Sequence, residues 1–367
     1  MNILILSTHC HTGGIASYIL TLTKSLLSRG HRVIVVSSGG DRVNDLIAMG
    51  ARHQTFALRT KSELNPRLYL SLKKLRELIR NEKIDIIHAH TRVTQVIGFF
   101  LQKMSQKPCV CTCHGFFKPR LSRKIFPCWG NRTIAISEAV RRHLEKDFHV
   151  PKDKIDLIPN GIDLDEFRLI DEKTKEDRRK EFHLDQGPVI GIIARLSDVK
   201  GHDILISAMK HIVQEIPQAR LMIIGEGKRE DLLKQMTKEL GLAQNISFYP
   251  IVNKTAWILP IFDIFVMPSI QEGLGLSVME AQAVGLPVVA SRVGGIPSLI
   301  QDNETGVLVS SKDPKELGRA VIALLKDPIR AKKIGESARL FIQKEFSAEK
   351  MVEKTIACYQ KAMGEHE

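Results

Sequence analysis

The sequence predicts an α/β protein built from two parallel-sheet domains. Three observations carry that prediction. Short apolar runs alternate with amphipathic segments along the chain, glycine-bearing loops follow several of those runs, and 367 residues exceed what one hydrophobic core sustains. No apolar run reaches the roughly 20 residues that cross a bilayer. The opening run, MNILILSTHC, lacks a basic leader and a cleavage site and reads as the first strand, so a cytoplasmic protein is expected.

Residues 2–7 form that strand. The loop Thr8-His9-Cys10-His11-Thr12-Gly13-Gly14 follows, then an amphipathic helix ending near Gly30. Paired glycines let a backbone approach a ligand closely. The third glycine and the acidic residue of the dinucleotide fingerprint are missing, which argues against an oxidoreductase. Further strands are expected at 32–37, 54–58, 83–88 and 108–113, with helices over 41–49 and 66–81. His88 and His90 lie two apart at the end of the fourth strand and read as satisfied structural histidines. The fifth strand delivers His114-Gly115 to the edge where open α/β sheets bind ligands, so His114 is the best placed histidine. Cys109, Cys111 and Cys113 alternate as on a strand, unlike the C-x-x-C of zinc sites, and are expected as free thiols of a reducing compartment.

Residues 116–129 interleave Phe116, Phe117, Phe126 and Trp129 with Lys118, Arg120, Arg123 and Lys124. Such a segment suits an anionic membrane surface, an acceptor lid or an ordinary loop. A strand at 132–136 and a helix capped by Ser137 follow, and residues 155–161 close the domain. The stretch 163–188 is charged and poor in apolar residues, and reads as a linker in which Asp163 and Asp165 are solvated and not a metal site.

The second domain opens with a strand at 189–194 and the loop Arg195-Leu196-Ser197-Asp198-Val199-Lys200-Gly201-His202, leading to a helix at 203–215. Arg195 and Lys200 flank a turn at the end of that strand, where two cations meet the needs of a diphosphate. Strands at 221–225, 245–249 and 263–267 come next. After the last of them, residues 268–287 (PSIQEGLGLSVMEAQAVGLP) give strand, glycine-rich loop and helix, an arrangement that turns backbone N–H groups and a positive helix end toward an anion. Glu272 lies in that loop and Glu280 about two turns into the helix, one acid for a reacting group and the other for a polyhydroxyl such as ribose. Strands at 288–290 and 306–309 and helices at 313–327, 328–344 and 348–363 complete the chain.

The formal charge is +13, and it is unevenly placed. Residues 1–165 carry 26 Lys and Arg against 13 Asp and Glu, while the remainder holds 28 of each. A basic first half attracts phosphates, nucleic acid or anionic lipid. No recognised nucleic-acid motif accompanies it, which counts against a nucleic-acid-binding protein.

Taken together, Gly13-Gly14, His114-Gly115, Pro159-Asn160-Gly161-Ile162-Asp163, Arg195 with Lys200, and Glu272 followed eight positions on by Glu280 resemble the retaining glycosyltransferases of family 4 on the GT-B fold. The resemblance runs along nearly the whole chain. It implies two Rossmann-like domains facing each other across a cleft, residues 1–165 with a C-terminal helix at about 347–367 on the acceptor side and residues 166–346 on the donor side. It also implies that Arg195 and Lys200 neutralise the donor diphosphate and that Glu280 binds the ribose. Glu272 with the backbone of Gly273, Leu274, Gly275 and Leu276 would hold the transferred sugar and distal phosphate. Gly13 and Gly14 would approach that phosphate, and His114 would lie near the reacting carbon. At one position the sequence departs from the family: Ser298 stands where a glutamate is usual after Gly294-Gly295-Ile296-Pro297.

The implied chemistry is self-consistent. Breaking a glycosyl phosphate builds negative charge on the leaving group, and fixed cations with helix-end N–H groups stabilise it without a metal or other cofactor. The expected co-substrate is a nucleotide-sugar, UDP-linked by preference, and the expected acceptor a lipid-linked or cell-envelope glycan. Peripheral contact with the inner face of the membrane is part of that expectation. A sugar-nucleotide epimerase on the same architecture is the nearest enzymatic rival.

Overall fold

The computed structural model describes residues 1–60, 65–119, 121–184 and 187–364. Two compact units divide the chain, residues 1–161 with the C-terminal helix, and Ile162–Ser347. The second unit is tied at its ends by the Ile162–Ser347 bridge and by Ile162 N donating to Phe346 O at 2.8 Å.

The first unit is one seven-stranded sheet: β1 (Asn2–Leu6), β2 (Arg32–Ser37), β3 (Arg52–Thr55), β4 (Ile86–Ala89), β5 (Cys109–Cys113), β6 (Arg132–Ala135) and β7 (Ile155–Leu157), in spatial order β3-β2-β1-β4-β5-β6-β7. Every pairing is parallel. Both faces are covered, so the central strands read as continuous apolar runs and not as alternations. One face packs Ile3, Ile5 and Val35 under helices Gly14–Ser28 and Ala348–Gly364. The other packs Leu4, Leu6 and Ile34 under Pro66–Asn81 and Arg92–Ser105.

The second unit holds six parallel strands: β8 (Val189–Ile193), β9 (Arg220–Ile224), β10 (Ile246–Tyr249), β11 (Ile264–Met267), β12 (Val288–Ser291) and β13 (Val307–Val309), ordered β10-β9-β8-β11-β12-β13. In both sheets the direction of winding reverses beside the first strand, between β1 and β4 and between β8 and β11. In open α/β sheets ligands bind outside the carboxyl ends of the strands at such a reversal.

Several sequence expectations change. The fourth strand spans 86–89 and not 83–88, because Lys83, at φ +49°, and Ile84 still close the preceding helix, their N–H groups donating to Arg80 O and Ile79 O. The third strand sits at 52–55 and not 54–58, because its register against β2 pairs Arg52 with Ile34 and Thr55 with Ser37. The supposed linker contains a helix, Glu172–Glu181, with no buried residue to announce it. It is held electrostatically. Asp171 caps it by accepting from Thr174 N at 2.7 Å, and Lys175 and Arg179 reach the Asp263 carboxylate at 3.1 and 2.6 Å. Helix Arg92–Ser105, which no sequence expectation named, starts at a capping box formed by Thr91 and Thr94.

Candidate active site

The site in the second unit is made where β8 and β11 end. Loop 194–201 and loop 268–275 lie against each other, with Ile270 N donating to Val199 O at 2.8 Å. Gly201, at φ +70°, starts helix His202–Glu215, and a Cβ there would come within 2.0 Å of Pro268 O. Only glycine allows that approach. This contact brings Lys200 to Glu272: Nζ is ion-paired with Oε2, and the two side chains are 22% and 12% exposed. Ser269 Oγ donates weakly to the same carboxylate at 3.4 Å. Arg195, in the same loop, is exposed and has no ion-pair partner among the described residues.

The glycines around Glu272 serve its backbone. Gly294 has φ +55°, and a Cβ on it would stand 1.8 Å from Glu272 O; Gly295 N donates to that oxygen at 3.1 Å. Ser298, the departure from the family pattern, has a local task, donating from Oγ to Gly295 O at 2.7 Å.

Helix Leu276–Ala283 begins with Gly275 at φ +110°, and no side chain caps its first N–H groups. The helix therefore starts only at Leu276, and Gly273 to Gly275 are loop. Leu274 is 2% exposed, so only its backbone can serve a ligand. Glu280 is 8% exposed and lies little more than one turn into the helix, not two. A carboxylate near an uncapped helix start, a lysine–glutamate pair and an exposed arginine thus lie together at one sheet crossover.

In the first unit, helix Gly14–Ser28 also begins without a side-chain cap, at Gly13 with φ +150°. A Cβ on Gly13 or Gly14 would meet no atom within 4 Å. His114 follows β5, half-buried, with Nε2 at 3.1 Å from His90 Nδ1. Desolvation pulls its pKa down to about 3. His88 and His202 fall to about 3 and about 4, chiefly through burial.

These depressed values have a consequence for stability. An unfolded histidine takes up a proton near pH 6.5, and these folded ones do not until pH 3 to 4. Within that window the unfolded chain binds more protons, so stability falls as pH falls, by about 1.4 kcal/mol per pH unit per histidine. Above pH 6.5 they contribute no pH dependence. The urea midpoint should drop between pH 7 and pH 5; a constant midpoint contradicts this account.

In segment 116–129, Trp129 is 9% exposed and Phe126 packs on Phe99 with ring centres 4.9 Å apart, so these two aromatics do not face outward. The Arg123 guanidinium lies over the Phe117 ring at 4.1 Å. Ile125, 74% exposed, is an apolar side chain turned outward. Arg120 lies outside the described residues.

The family model for glycosyl transferases group 1 matches residues 173–341, and that for glycosyltransferase family 4 matches residues 12–166. D-inositol 3-phosphate glycosyltransferase of Segniliparus rotundus is 29% identical over 315 residues, 79% of this chain and 69% of that protein. An Escherichia coli UDP-Gal:alpha-D-GlcNAc-diphosphoundecaprenol alpha-1,3-galactosyltransferase is 29% identical over 280 residues, 71% of each chain. Anabaena HepE, solved in complex with UDP and glucose, superposes with a TM-score of 0.88 at 20% identity, over 98% of this chain and 100% of that one. Two doubly wound parallel sheets, with these matches across both, define a glycosyltransferase of the GT-B class. The chain belongs to glycosyltransferase family 4.

Proposed function

We propose that this glycosyltransferase is a retaining, metal-independent enzyme. It moves a hexosyl group from a UDP-sugar to a lipid-linked or cell-envelope glycan. One observation carries the donor assignment: Lys200, Glu272, Arg195 and the uncapped helix Leu276–Ala283 are gathered by two loops at one sheet crossover. The UDP bound in the HepE complex and the UDP-Gal in the name of the Escherichia coli relative support the choice of base.

In this reading Arg195 and Lys200 hold the diphosphate, Glu280 accepts hydrogen bonds from the ribose, and Glu272 with the N–H groups of residues 273–276 holds the sugar and distal phosphate. In the first unit, Gly13 and Gly14 are the groups assigned to a phosphate, and His114 the one assigned to the sugar. The bond from the anomeric carbon to the diphosphate oxygen breaks as the acceptor oxygen bonds to that carbon on the same face. The acceptor's proton passes to the departing phosphate oxygen, so no protein base is required. Two fixed cations take the charge that a metal would otherwise neutralise. Transfer of labelled sugar should therefore persist in EDTA; activity that disappears and returns with Mg²⁺ or Mn²⁺ refutes the metal-free scheme.

The acceptor reading rests on the basic first half and on the diphosphoundecaprenol in the relative's name. The six cysteines are free and buried, which supports a cytoplasmic location at the inner membrane face. Docking would use the basic residues of segment 116–129, Lys118 among them, together with the exposed Ile125, each basic residue worth about 1 kcal/mol at an anionic surface. Sedimentation with phosphatidylglycerol vesicles should show binding that fades as salt rises and drops in the triple variant Lys118→Ser, Arg120→Ser, Lys124→Ser. No binding to either anionic or neutral vesicles at low salt removes the membrane from the reading and favours a soluble acceptor.

A further inference from the structure

Three histidines stand side by side in the first unit where β4 and β5 end, and the transfer scheme uses only one of them. His88 is fully buried with both ring nitrogens engaged, Nδ1 at 2.7 Å from Tyr359 Oη and Nε2 at 2.7 Å from Thr112 Oγ1. His90, 2% exposed, lies against it with ring centres 4.1 Å apart. Its Nδ1 is 3.1 Å from His114 Nε2, and its own Nε2 has no hydrogen-bond partner among the described residues. Tyr18 closes the cluster, with its ring centre 4.9 Å from that of His114 and 5.4 Å from that of His90.

Burial keeps all three imidazoles neutral: His88 and His114 fall to about 3 and His90 well below its ordinary value. A neutral imidazole carries one proton, on one of its two nitrogens. The hydrogen between His90 and His114 therefore belongs to one ring, and the tautomers of the two are tied together. With Nε2 of His114 engaged, Nδ1 is the nitrogen left for a ligand.

Resting on the transferase reading above, we propose that His90 is a positioning residue that grips His114 through Nε2, fixing its tautomer and ring orientation so that Nδ1 meets a hydroxyl of the transferred sugar. His88, held at both ends by Thr112 and Tyr359, is the flat floor that keeps His90 in place. A histidine that merely filled space could be exchanged for another flat ring without consequence. One that positions its neighbour needs a polar atom where its Nδ1 stands.

Two variants of the full chain separate these roles. His90→Phe keeps a flat ring and removes the nitrogen, whereas His90→Asn places an amide near the position of Nδ1. Long-range proton–nitrogen correlation spectra of the ¹⁵N-histidine-labelled protein read the tautomer of each ring without any need for activity. Wild type should show His114 as a single tautomer, His90→Phe a mixture, and His90→Asn a single form again. In transfer assays kcat should fall about 10- to 100-fold in His90→Phe, the scale of losing a partner that orients a functional histidine. The donor KM should stay within about twofold, and the asparagine variant should recover most of the rate.

The same His114 pattern in wild type and His90→Phe overturns the proposal, as does a changed tautomer with wild-type kcat. If His90→Phe does not fold, the wild-type spectrum and His90→Asn still decide, since a His114 that averages between tautomers in the wild type overturns it. A protein that transfers no sugar yet shows the fixed tautomer contradicts the transferase reading and the role in turnover together, and leaves the grip of His90 on His114 standing as a structural fact.

Discussion

Lys200→Ala lowers kcat/KM by about 10²- to 10³-fold, the cost of removing one fixed charge from a developing anion in a water-poor site. On the proposed donor site both kcat and donor affinity fall, because the ammonium would meet the diphosphate in the bound substrate and meet it more strongly as the bond breaks. The pairing with Glu272 complicates the reading of the single variant. With Lys200 gone, a carboxylate only 12% exposed loses its counterion, and part of the loss reflects Glu272 repelling the phosphates. The double variant Lys200→Ala, Glu272→Gln separates the two contributions. If neutralising Glu272 restores most of the rate, the lysine acts chiefly as its counterion and the diphosphate is held by Arg195. A Lys200→Ala enzyme with wild-type kcat/KM eliminates Lys200 from the donor site.

Glu280→Ala weakens nucleotide binding by about 1–3 kcal/mol, roughly 5- to 150-fold, the range for hydrogen bonds to a charged acceptor. The loss should be of similar size for UDP, ADP and GDP, since the ribose is common to all three. It should also leave the chemical step less affected than Lys200→Ala does, because the ribose carries no developing charge. Glu280 is nearly buried in helix Leu276–Ala283, so the melting temperature must be recorded beside the calorimetry. Unchanged nucleotide affinity in a folded variant removes Glu280 from the ribose site.

Much of this was legible along the chain, and the reason is local. Apolar runs such as Val189–Ile193 and Ile264–Met267 announce buried parallel strands by their own composition, and a glycine-bearing loop after such a run announces a backbone that must approach something. Helix Pro66–Asn81 and strand Arg32–Ser37 came out at their observed bounds because periodicity and punctuation sit within the segment itself. Helix Arg92–Ser105 was also written locally, in Thr91 and Thr94 ahead of an apolar stretch. Helix Glu172–Glu181 was not, because its anchor is Asp263, more than eighty positions away from Arg179.

The sequence alone determined the alternation of strands and helices, the two-sheet architecture and the loops that carry chemistry. Each of these depends on residues that are neighbours in the chain. Tertiary structure decided what those loops do to one another. Lys200 and Glu272 are 72 positions apart and meet only because β8 and β11 are adjacent at the sheet crossover. Gly294 fits against the backbone of Glu272 only because β12 lies beside β11. The engagement of His88 by Tyr359 spans 271 positions and exists because the last helix returns to pack on helix Gly14–Ser28. Side-chain pairing across a sheet follows strand order, and strand order is set by how crossovers pack their helices to cover both faces, a property of the whole domain that no single segment encodes.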